Sequence, residues 1–369
     1  MGALRIFQNV DGRLTPWDAP VRGLMADKKD NPGVTMGGLT GWWNSVAAGD
    51  FDGDGRMDLV AGNWGRNTFQ QRFLEHPLEI HYGNTDGSGN WTIVESHFDP
   101  VLGGFVPLRD KMALSASLPV LMDRFPTFAS FSKASVSLVF SEGVPPMRVA
   151  SASTLDSVVF LNHADGFEVR PLPAVAQISP VFGIAVGDFD GDGQEDVFLG
   201  QNFFEVGPHA SRQDAGQGLW LRGDGRGGFA AAPDGAADFG LYGEVRGAAV
   251  SDFDLDGRLD LVVTQNNGQT RLFRNTGGRP GLRVALQGPP QNQQGAGAMV
   301  RAVFEDGTLG AAKEVRIGGG YWSQDSSQLL LGGSRKLAAV EIRWPGGFGE
   351  RVDVPDGVRS INRTMPGDR

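Results

Sequence analysis

Three nine-residue segments of this chain carry aspartate at positions 1, 3, 5 and 9 and glycine at position 6. They span residues 50–58, 188–196 and 252–260, and we call them loops 1, 2 and 3. Alternating carboxylates in a tight turn surround a hard cation with oxygen ligands, and the glycine permits the sharp bend. A single copy could be a solvated acidic turn between strands. Three copies in the same phase predict calcium-binding repeats.

The residues around the loops exclude an EF-hand. Position 12, where an EF-hand needs a bidentate glutamate, holds Ala61, Leu199 and Val263. Short apolar runs follow the loops, and small strand-like residues precede them. Each loop is therefore predicted to connect two strands of a sheet.

A weaker fourth copy lies at residues 84–92. It keeps oxygen-bearing side chains at positions 1, 3, 5, 7 and 9 and glycine at position 6, but only one of these side chains is a carboxylate. The residues are Asn84, Asp86, Ser88, Asn90 and Thr92. Either this segment binds calcium weakly, or it is a turn that kept the shape without the ion.

The charge and composition narrow the class of protein. The net charge is −10, and the three loops contribute twelve aspartates, so three calcium ions would leave about −4. We find no basic patch typical of nucleic-acid binding, no run long and apolar enough for a membrane span, and no cysteine for disulfide or thiolate chemistry. Calcium sites without the closing glutamate have modest affinity. We therefore expect an extracellular, periplasmic or cell-surface location, with an export signal that is not part of this sequence.

A second recurring element predicts the architecture. Aromatic or aliphatic strands that enter a glycine turn begin near Ile6, Val159, Leu219 and Leu272, as an outer hairpin repeated once per unit does. Four-stranded sheets repeated along a chain and arranged radially form a β-propeller. No inner strands precede the first hairpin, so we expect either an incomplete ring, with edges open to association, or inner strands supplied from elsewhere in the fold.

Two regions depart from the repeats. Apolar residues recur at helical spacing between 109 and about 135, which predicts an insertion of one or two amphipathic helices that pack on the sheet or bind a partner. From residue 280 onward, polar and apolar residues alternate as in half-buried antiparallel strands. The predicted fold is thus all-β, with a propeller at 1–279, complete or incomplete, and a small antiparallel β domain at 280–369.

These motifs resemble two known families. Gly49-Asp-Phe-Asp-Gly-Asp-Gly and Asp58-Leu-Val-Ala-Gly-Asn are similar to the FG-GAP/VCBS-type repeats of integrin-like β-propellers. The C-terminal region resembles an ASPIC/UnbV domain, as found in cartilage acidic protein and many bacterial exported proteins. The matching segments are Gln294-Gly-Ala-Gly-Ala-Met-Val-Arg, Arg316-Ile-Gly-Gly-Gly-Tyr-Trp-Ser-Gln and Val340-Glu-Ile-Arg-Trp-Pro-Gly-Gly.

The repeat resemblance implies structural Ca²⁺ in each loop, held by four aspartate side chains and the backbone carbonyl of position 7. Leu255 departs from the pattern because glycine is usual at position 4, yet every liganding position of loop 3 is intact. The implied ligands are Asp50, Asp52, Asp54, Arg56 and Asp58 in loop 1, Asp188, Asp190, Asp192, Gln194 and Asp196 in loop 2, and Asp252, Asp254, Asp256, Arg258 and Asp260 in loop 3.

Catalytic motifs are missing from the sequence. The five histidines have no metal-ligand spacing, and there is no nucleophile elbow, phosphate loop or dinucleotide fingerprint. We therefore predict a non-enzymatic binding or adhesion module for a protein or glycan ligand. The alternative is a carbohydrate-active lyase or glycosidase, because folding can bring two carboxylates together at a propeller mouth.

A few exposed motifs could supply ligand contacts. Aromatic side chains give rigid contact area, and the candidates are the Trp42-Trp43 pair, Tyr321-Trp322 and Trp344. Trp344 could equally close the core of the small domain. Arg222-Gly-Asp224 spells an integrin-recognised tripeptide, but the same residues suit an ordinary glycine hairpin turn.

Overall fold

The structure is a computed structural model that describes residues 1–23, 34–85, 89, 91–141, 146–207, 210–233, 238–320 and 323–366. Within these residues the chain is all-β, and its helices are short. The first thirteen strands are β1 (Gly2–Ala3), β2 (Ile6–Val10), β3 (Arg13–Trp17), β4 (Val21–Arg22), β5 (Thr40–Gly41), β6 (Ser45–Gly49), β7 (Asp58–Gly62), β8 (Leu78–Gly83), β9 (Thr92–Asp99), β10 (Gly104–Pro107), β11 (Arg148–Ala152), β12 (Val158–His163) and β13 (Gly166–Pro171).

The remaining strands begin in the second repeat. They are β14 (Val181–Gly187), β15 (Asp196–Gln201), β16 (Leu219–Gly223), β17 (Phe229–Ala231), β18 (Glu244–Ser251), β19 (Asp260–Asn266), β20 (Arg271–Phe273), β21 (Leu282–Gln287), β22 (Met299–Phe304), β23 (Lys313–Glu314), β24 (Leu329–Leu331), β25 (Leu337–Arg343), β26 (Gly349–Asp353) and β27 (Ser360–Thr364). The helices are α1 (Lys111–Ser115), α2 (Leu121–Arg124), α3 (Phe128–Phe131) and α4 (Val136–Val139), with 3₁₀ turns at Phe69–Phe73 and Ala174–Gln177.

The chain divides into two compact units. Unit 1 comprises Met1–Ala19, Val34–Trp43 and Thr68–Leu155, and unit 2 comprises Pro20–Gly33, Asn44–Asn67 and Asp156–Arg369. The predicted boundary at residue 280 lies inside unit 2 and remains a prediction.

Unit 1 holds a four-stranded sheet and the helical segment. The sheet has the order β10-β9-β8-β11, and β1 pairs with β5. The first predicted outer hairpin forms as β2 and β3, which make a two-stranded sheet without a further partner among the described residues.

The segment 109–135, predicted as one or two amphipathic helices, contains the three short helices α1, α2 and α3, and α4 follows it. Pro119 and Pro126 interrupt it, because a proline disfavours helical geometry at the residue before it and cannot donate a backbone hydrogen bond. The side chain of Asp110 caps the first turn of α1 by accepting from the Ala113 N–H. Buried apolar residues of this segment, including Leu114 and Leu121, pack with Val94 of β9, so its apolar face covers the sheet.

Each acidic loop in unit 2 joins two paired strands, and the first strand of each pair lies at the end of its sheet. Loop 1 joins β6 to β7, loop 2 joins β14 to β15, and loop 3 joins β18 to β19. The sheets have the orders β4-β13-β12-β7-β6, β14-β15-β16-β17 and β18-β19-β20. Strand β14 lies against both β6 and β18, so the first strands of the three sheets are neighbours.

The outer strands of these sheets follow the prediction in two cases. The hairpin near Val159 completes the first sheet as β12 and β13, and the hairpin near Leu219 completes the second as β16 and β17. The predicted hairpin near Leu272 is a single strand, β20, within the described residues.

Apolar side chains fill the space between the sheets. Val60, Val159, Val181 and Leu221 belong to one buried cluster shared by the first two sheets. A second cluster, which includes Phe198, Val245 and Val263, joins the second and third sheets. All six residues of β15 are buried, since this strand has a neighbouring sheet on both sides.

The C-terminal part of unit 2 consists of two sheets around one core. Their orders are β24-β21-β27 and β23-β22-β25-β26. The core contains Val284, Val300 and Trp344, and Trp344 is only 1% exposed. One prediction was wrong: the pair β21–β27 is parallel, because the whole second sheet separates the two strands and supplies the crossover that a parallel pair requires.

Candidate metal centres

Each loop gathers three carboxylates at one point. The aspartates of positions 1, 3 and 9 place one oxygen each within 4.8 Å of the others in all three loops. The groups are Asp50, Asp52 and Asp58; Asp188, Asp190 and Asp196; and Asp252, Asp254 and Asp260. Carboxylate oxygens are the ligands that calcium prefers, so each group could hold a metal ion.

The aspartate at position 9 links each loop to the outer part of its sheet. In loop 1, Oδ2 of Asp58 accepts from the Phe51 N–H at 2.8 Å, and Oδ1 accepts from the Asn162 N–H at 2.7 Å. Asp196 accepts in the same way from Phe189 and Gly223, and Asp260 from Phe253 and Asn275. These aspartates are almost fully buried, so their hydrogen bonds fix the base of each loop.

The aspartate at position 1 closes the turn. Its Oδ2 accepts from the glycine N–H of position 6 in every loop: Asp50 from Gly55 at 3.0 Å, Asp188 from Gly193 at 2.9 Å, and Asp252 from Gly257 at 3.1 Å. The glycine has a positive φ in all three copies, 91°, 93° and 88°. This conformation suits glycine, and it explains why position 6 is constant.

The position 5 aspartates lie outside the three-carboxylate groups. Asp54 pairs with Arg56, Asp192 lies 3.4 Å from Arg222, and Asp256 pairs with Arg258 at 2.7 Å. Each also accepts the N–H of position 7 through Oδ1, for example from Arg56 at 2.8 Å. Their role as ligands, and that of the carbonyls of Arg56, Gln194 and Arg258, remains a prediction.

Burial makes negative charge in these loops unfavourable. Desolvation raises the pKa of Asp58 and of Asp188 to about 7, and that of Asp196 to about 8, although backbone N–H groups oppose the shift in each. Desolvation also raises the pKa of Asp50. Grouped, buried carboxylates of this kind need a positive partner in order to be ionised at neutral pH.

Two buried oxygen atoms indicate where a cation would bind. Oδ1 of Asp50 and Oδ1 of Asp252 are buried and have no hydrogen-bond donor within the described part of the chain. Buried polar oxygens of proteins nearly always have a donor or a cation. The three carboxylate groups supply only oxygen donors, which suit calcium better than zinc or copper. The residues therefore fit the cation that the repeat pattern implies.

Loop 3 reaches the same backbone shape without glycine at position 4. Leu255 has φ 62°, close to the 74° of Gly53 and the 73° of Gly191. A left-handed conformation is unfavourable for leucine, and its side chain is 66% exposed, so little burial offsets the strain. Leucine at position 4 thus adds backbone strain to loop 3 but leaves the geometry of its carboxylates intact.

Comparison with known families agrees with this geometry. Residues 42–70 match the model of the FG-GAP repeat, and residues 288–362 match the model described as ASPIC and UnbV. The chain carries an FG-GAP repeat and an ASPIC/UnbV domain. The matched FG-GAP segment contains loop 1 with its flanking strands β6 and β7.

No curated protein matches this chain. One similar solved structure is the crystal structure of the V. cholerae biofilm matrix protein Bap1, at 14% identity and a TM-score of 0.18. The match covers 76% of this chain and spans 59% of that protein's chain. A likeness this weak carries no argument about fold or function.

The structure adds residues around the FG-GAP loop and its two counterparts that the sequence pattern did not reveal. His163 lies with Asp52 and Asp54, one ligand atom of each within 4.8 Å of the others. Glu195 of loop 2 forms a buried ion pair with Lys313 of the ASPIC/UnbV domain, with a nitrogen–oxygen distance of 2.8 Å. These partners are far apart in sequence, so no local motif could indicate them.

The fourth, weaker copy lies partly within the described residues. Asp86, Ser88 and Asn90 lie outside the described residues. Thr85 and Thr92 are hydrogen-bonded through their hydroxyls at 2.8 Å. Calcium binding by Asn84, Thr92 and the residues between them stays a prediction.

The other residues predicted to contact a ligand differ in their structural environment. Arg222 pairs with Asp190 of loop 2, and Asp224 accepts from the N–H groups of Arg226 and Gly228, so this tripeptide forms a hairpin turn. Trp42 and Trp43 are half-buried, and Tyr321-Trp322 lies outside the described residues.

A groove crosses the first strands of the FG-GAP sheet and its neighbour. It has a volume of about 540 Å³ and is lined by β6 and β14 together with Arg316 and residues 318–320. Val46, at 46% exposure, and Phe182 contribute apolar surface. Volumes of this size are typical of ligand sites.

Proposed function

We propose that this chain is a calcium-stabilised extracellular binding or adhesion module that recognises a protein or glycan ligand. The observation that carries the proposal is the carboxylate geometry, repeated with the same hydrogen bonds in loops 1, 2 and 3. Calcium in such a loop rigidifies the connection between two strands. Its role here is structural, because the carboxylates are buried at the base of a sheet and tied to backbone N–H groups.

We further propose that the sheets are blades of a β-propeller. Support comes from the FG-GAP match and from the side-by-side arrangement of β6, β14 and β18, which are the first strands of three consecutive sheets. Innermost strands of propeller blades lie next to one another around the axis. The extracellular, periplasmic or cell-surface location follows from the modest calcium affinity expected of such loops. Within the described residues no helix is long and apolar enough to cross a membrane.

Binding is favoured over catalysis. FG-GAP repeats and ASPIC/UnbV domains are not enzyme families, which weighs against the carbohydrate-active alternative. The groove over β6 and β14 is the surface where we place the ligand, since it combines apolar side chains with the guanidinium of Arg316.

An array experiment tests this function. The full chain, with and without calcium, is applied to arrays of glycans and of extracellular proteins, and the hits are measured again in solution. Calcium-dependent hits that Val46→Arg abolishes support the proposal. Val149→Arg is the matched control, because Val149 is also an exposed strand valine, at 53%, and lies in β11 outside the groove. Hits that ignore calcium, or that both variants lose equally, contradict it.

A further inference from the structure

The C-terminal region from residue 280 onward contains the 288–362 match, and we call it the ASPIC/UnbV region. It contacts all three acidic loops with a basic side chain. Arg301 of β22 donates to the carbonyl of Gly53 in loop 1 at 2.8 Å. Lys313 of β23 pairs with Glu195 in loop 2 at 2.8 Å. Arg283 of β21 pairs with Oδ2 of Asp252 in loop 3 at 2.5 Å. Three consecutive strands of one domain thus each supply a cation to a different loop.

Backbone and hydroxyl donors of the same domain bond to the same loops. The Ala312 N–H donates to Oδ2 of Asp50 in loop 1 at 2.6 Å. The Ser334 hydroxyl donates to the carbonyl of Asp192 in loop 2 at 3.1 Å. The Gly281 N–H donates to the carbonyl of Gly257 in loop 3 at 2.8 Å. Two of these acceptors are loop carbonyls, whose directions depend on the backbone shape of the loop.

The contact leaves little room for a change in that shape. A Cβ at Gly55 would lie 2.5 Å from Nη1 of Arg301, and a Cβ at Gly257 would lie 3.1 Å from Cβ of Pro280. The glycines therefore serve the turn and also admit the neighbouring domain. A loop that loses its turn loses this fit as well.

Ordering of the loops by the ion, rather than their net charge, makes the coupling between calcium and docking favourable. Loops 1 and 3 each carry a net charge of −3 and loop 2 carries −5, so all three loops stay negative with a calcium ion bound and still attract the Arg or Lys. Without the ion, the buried carboxylates repel one another and the loop carbonyls lose their fixed positions. In loops 1 and 3, moreover, Oδ2 of the position 1 aspartate is held by the C-terminal domain while its buried Oδ1 has no donor among the described residues.

We propose that calcium binding in the three loops and docking of the ASPIC/UnbV region on them are linked, so that each strengthens the other. Ala312 and Arg283 act as positioning groups, because they orient the aspartates that would hold the ion; partners of this kind typically contribute about 10–100-fold to metal affinity. The inference rests on the calcium binding proposed above. Removing calcium releases the C-terminal domain from the repeats without unfolding it.

Amide hydrogen exchange of the full chain tests the linkage directly. The amides of Gly281 and Ala312 are bonded to the loops, whereas those of β22 are bonded within the domain itself. On calcium removal, exchange at Gly281 and Ala312 should rise about tenfold or more, since a local opening equilibrium shifts. The amides of β22 should stay protected. Unchanged exchange at Gly281 and Ala312, with calcium binding shown by calorimetry, overturns this inference alone.

A matched pair of variants separates the effect of lost docking from the effect of one lost positive charge. Arg283 and Arg274 both pair with aspartates of loop 3, but Arg274 lies directly after β20 in the repeat itself. Arg283→Met should speed Gly281 exchange at saturating calcium and weaken calcium binding, because linkage is reciprocal. Arg274→Met should leave Gly281 protected and, by loss of a positive charge, strengthen calcium binding. Equal behaviour of the two variants overturns the linkage, and a protein that binds no calcium overturns both this inference and the proposed function.

Discussion

The backbone N–H of Asn162 donates a 2.7 Å hydrogen bond to Oδ1 of Asp58 across 104 positions of sequence. The same bond joins Asp196 to Gly223 and Asp260 to Asn275, where the partners are only 27 and 15 positions apart. Loop 1 is thus built like loops 2 and 3 even though the chain leaves its sheet after β7 and returns at β12. A common bonding pattern implies a common response to the ion.

Calcium stoichiometry is the most direct test of the three centres. Calorimetric titration of chelator-stripped protein should give at least three equivalents of calcium. Asp52→Ala, Asp190→Ala and Asp254→Ala should each remove about one, because each takes a carboxylate from a three-carboxylate group. Asp165→Ala is the control, since this exposed residue forms an ion pair with Arg22, belongs to none of the three groups and should leave the count unchanged. A count of zero or one contradicts the repeat interpretation.

Thermal stability should depend on calcium concentration. An ion that binds only the folded loops stabilises the fold by mass action, and each independent site contributes about 2.7 kcal/mol at one hundred times its Kd. The melting temperature should therefore rise with calcium and fall with chelator. Magnesium should substitute poorly because it demands a smaller, near-octahedral shell. Identical melting curves in chelator and in millimolar calcium would show that the loops are empty turns.

The pH dependence of stability should reverse with calcium. In stripped protein, the pKa values of Asp58, Asp188 and Asp196 lie near 7 to 8, above the unfolded value of 3.8, so the folded state binds more protons. The contribution of these three groups to stability should then be greatest in acid and fall between about pH 4 and about pH 8.

With saturating calcium the carboxylates must be ionised, so stability should instead increase over that range. Denaturant midpoints of both forms at several pH values measure the two slopes. Asp196→Asn removes one titrating group and should flatten the slope of the stripped protein. Parallel slopes in both forms would contradict the prediction.

Leu255 gives a test of backbone strain. Leu255→Gly should stabilise the protein by on the order of 0.5–1 kcal/mol, because it relieves a left-handed leucine while removing an exposed side chain. Gly53→Leu, at the same position of loop 1, should destabilise by a similar amount. A Cβ at Gly53 has its nearest neighbour at 3.7 Å, so a steric clash does not explain that loss. Urea unfolding of the two variants measures both changes, and a destabilised Leu255→Gly protein would refute the strain argument.

The sequence predicted those parts of the fold that depend on local pattern. The loops, their flanking strands and the alternating C-terminal strands are short-range features, and the structure has strands at each of them. The helical segment was predicted less well because two prolines divide it into short pieces. The parallel pairing of β21 with β27 could not be read from sequence, since alternation of side chains is the same for parallel and antiparallel neighbours.

In the candidate metal sites too, the sequence predicted only the features that depend on local pattern. Position and spacing identified the carboxylates, and the positions 1, 3 and 9 do meet. Their partners Ala312, Arg283, Arg301 and Lys313 come from a distant part of the chain, and no motif marks them. At position 5, by contrast, the pairing arginine can be local: Arg56 and Arg258 lie two residues after Asp54 and Asp256.

The long chain segment between β7 and β12 also delays the pairing of these two strands during synthesis. Two strands cannot pair until both have left the ribosome, so β7 keeps an unpaired edge while the 95 residues between Gly62 and Val158 are translated. At about 5–20 residues per second this takes several seconds or more. The second and third sheets, whose strands are close in sequence, face no such delay. The nascent chain therefore carries its first acidic loop in an unfinished sheet, whose exposed edge is open to wrong partners until residue 158 arrives.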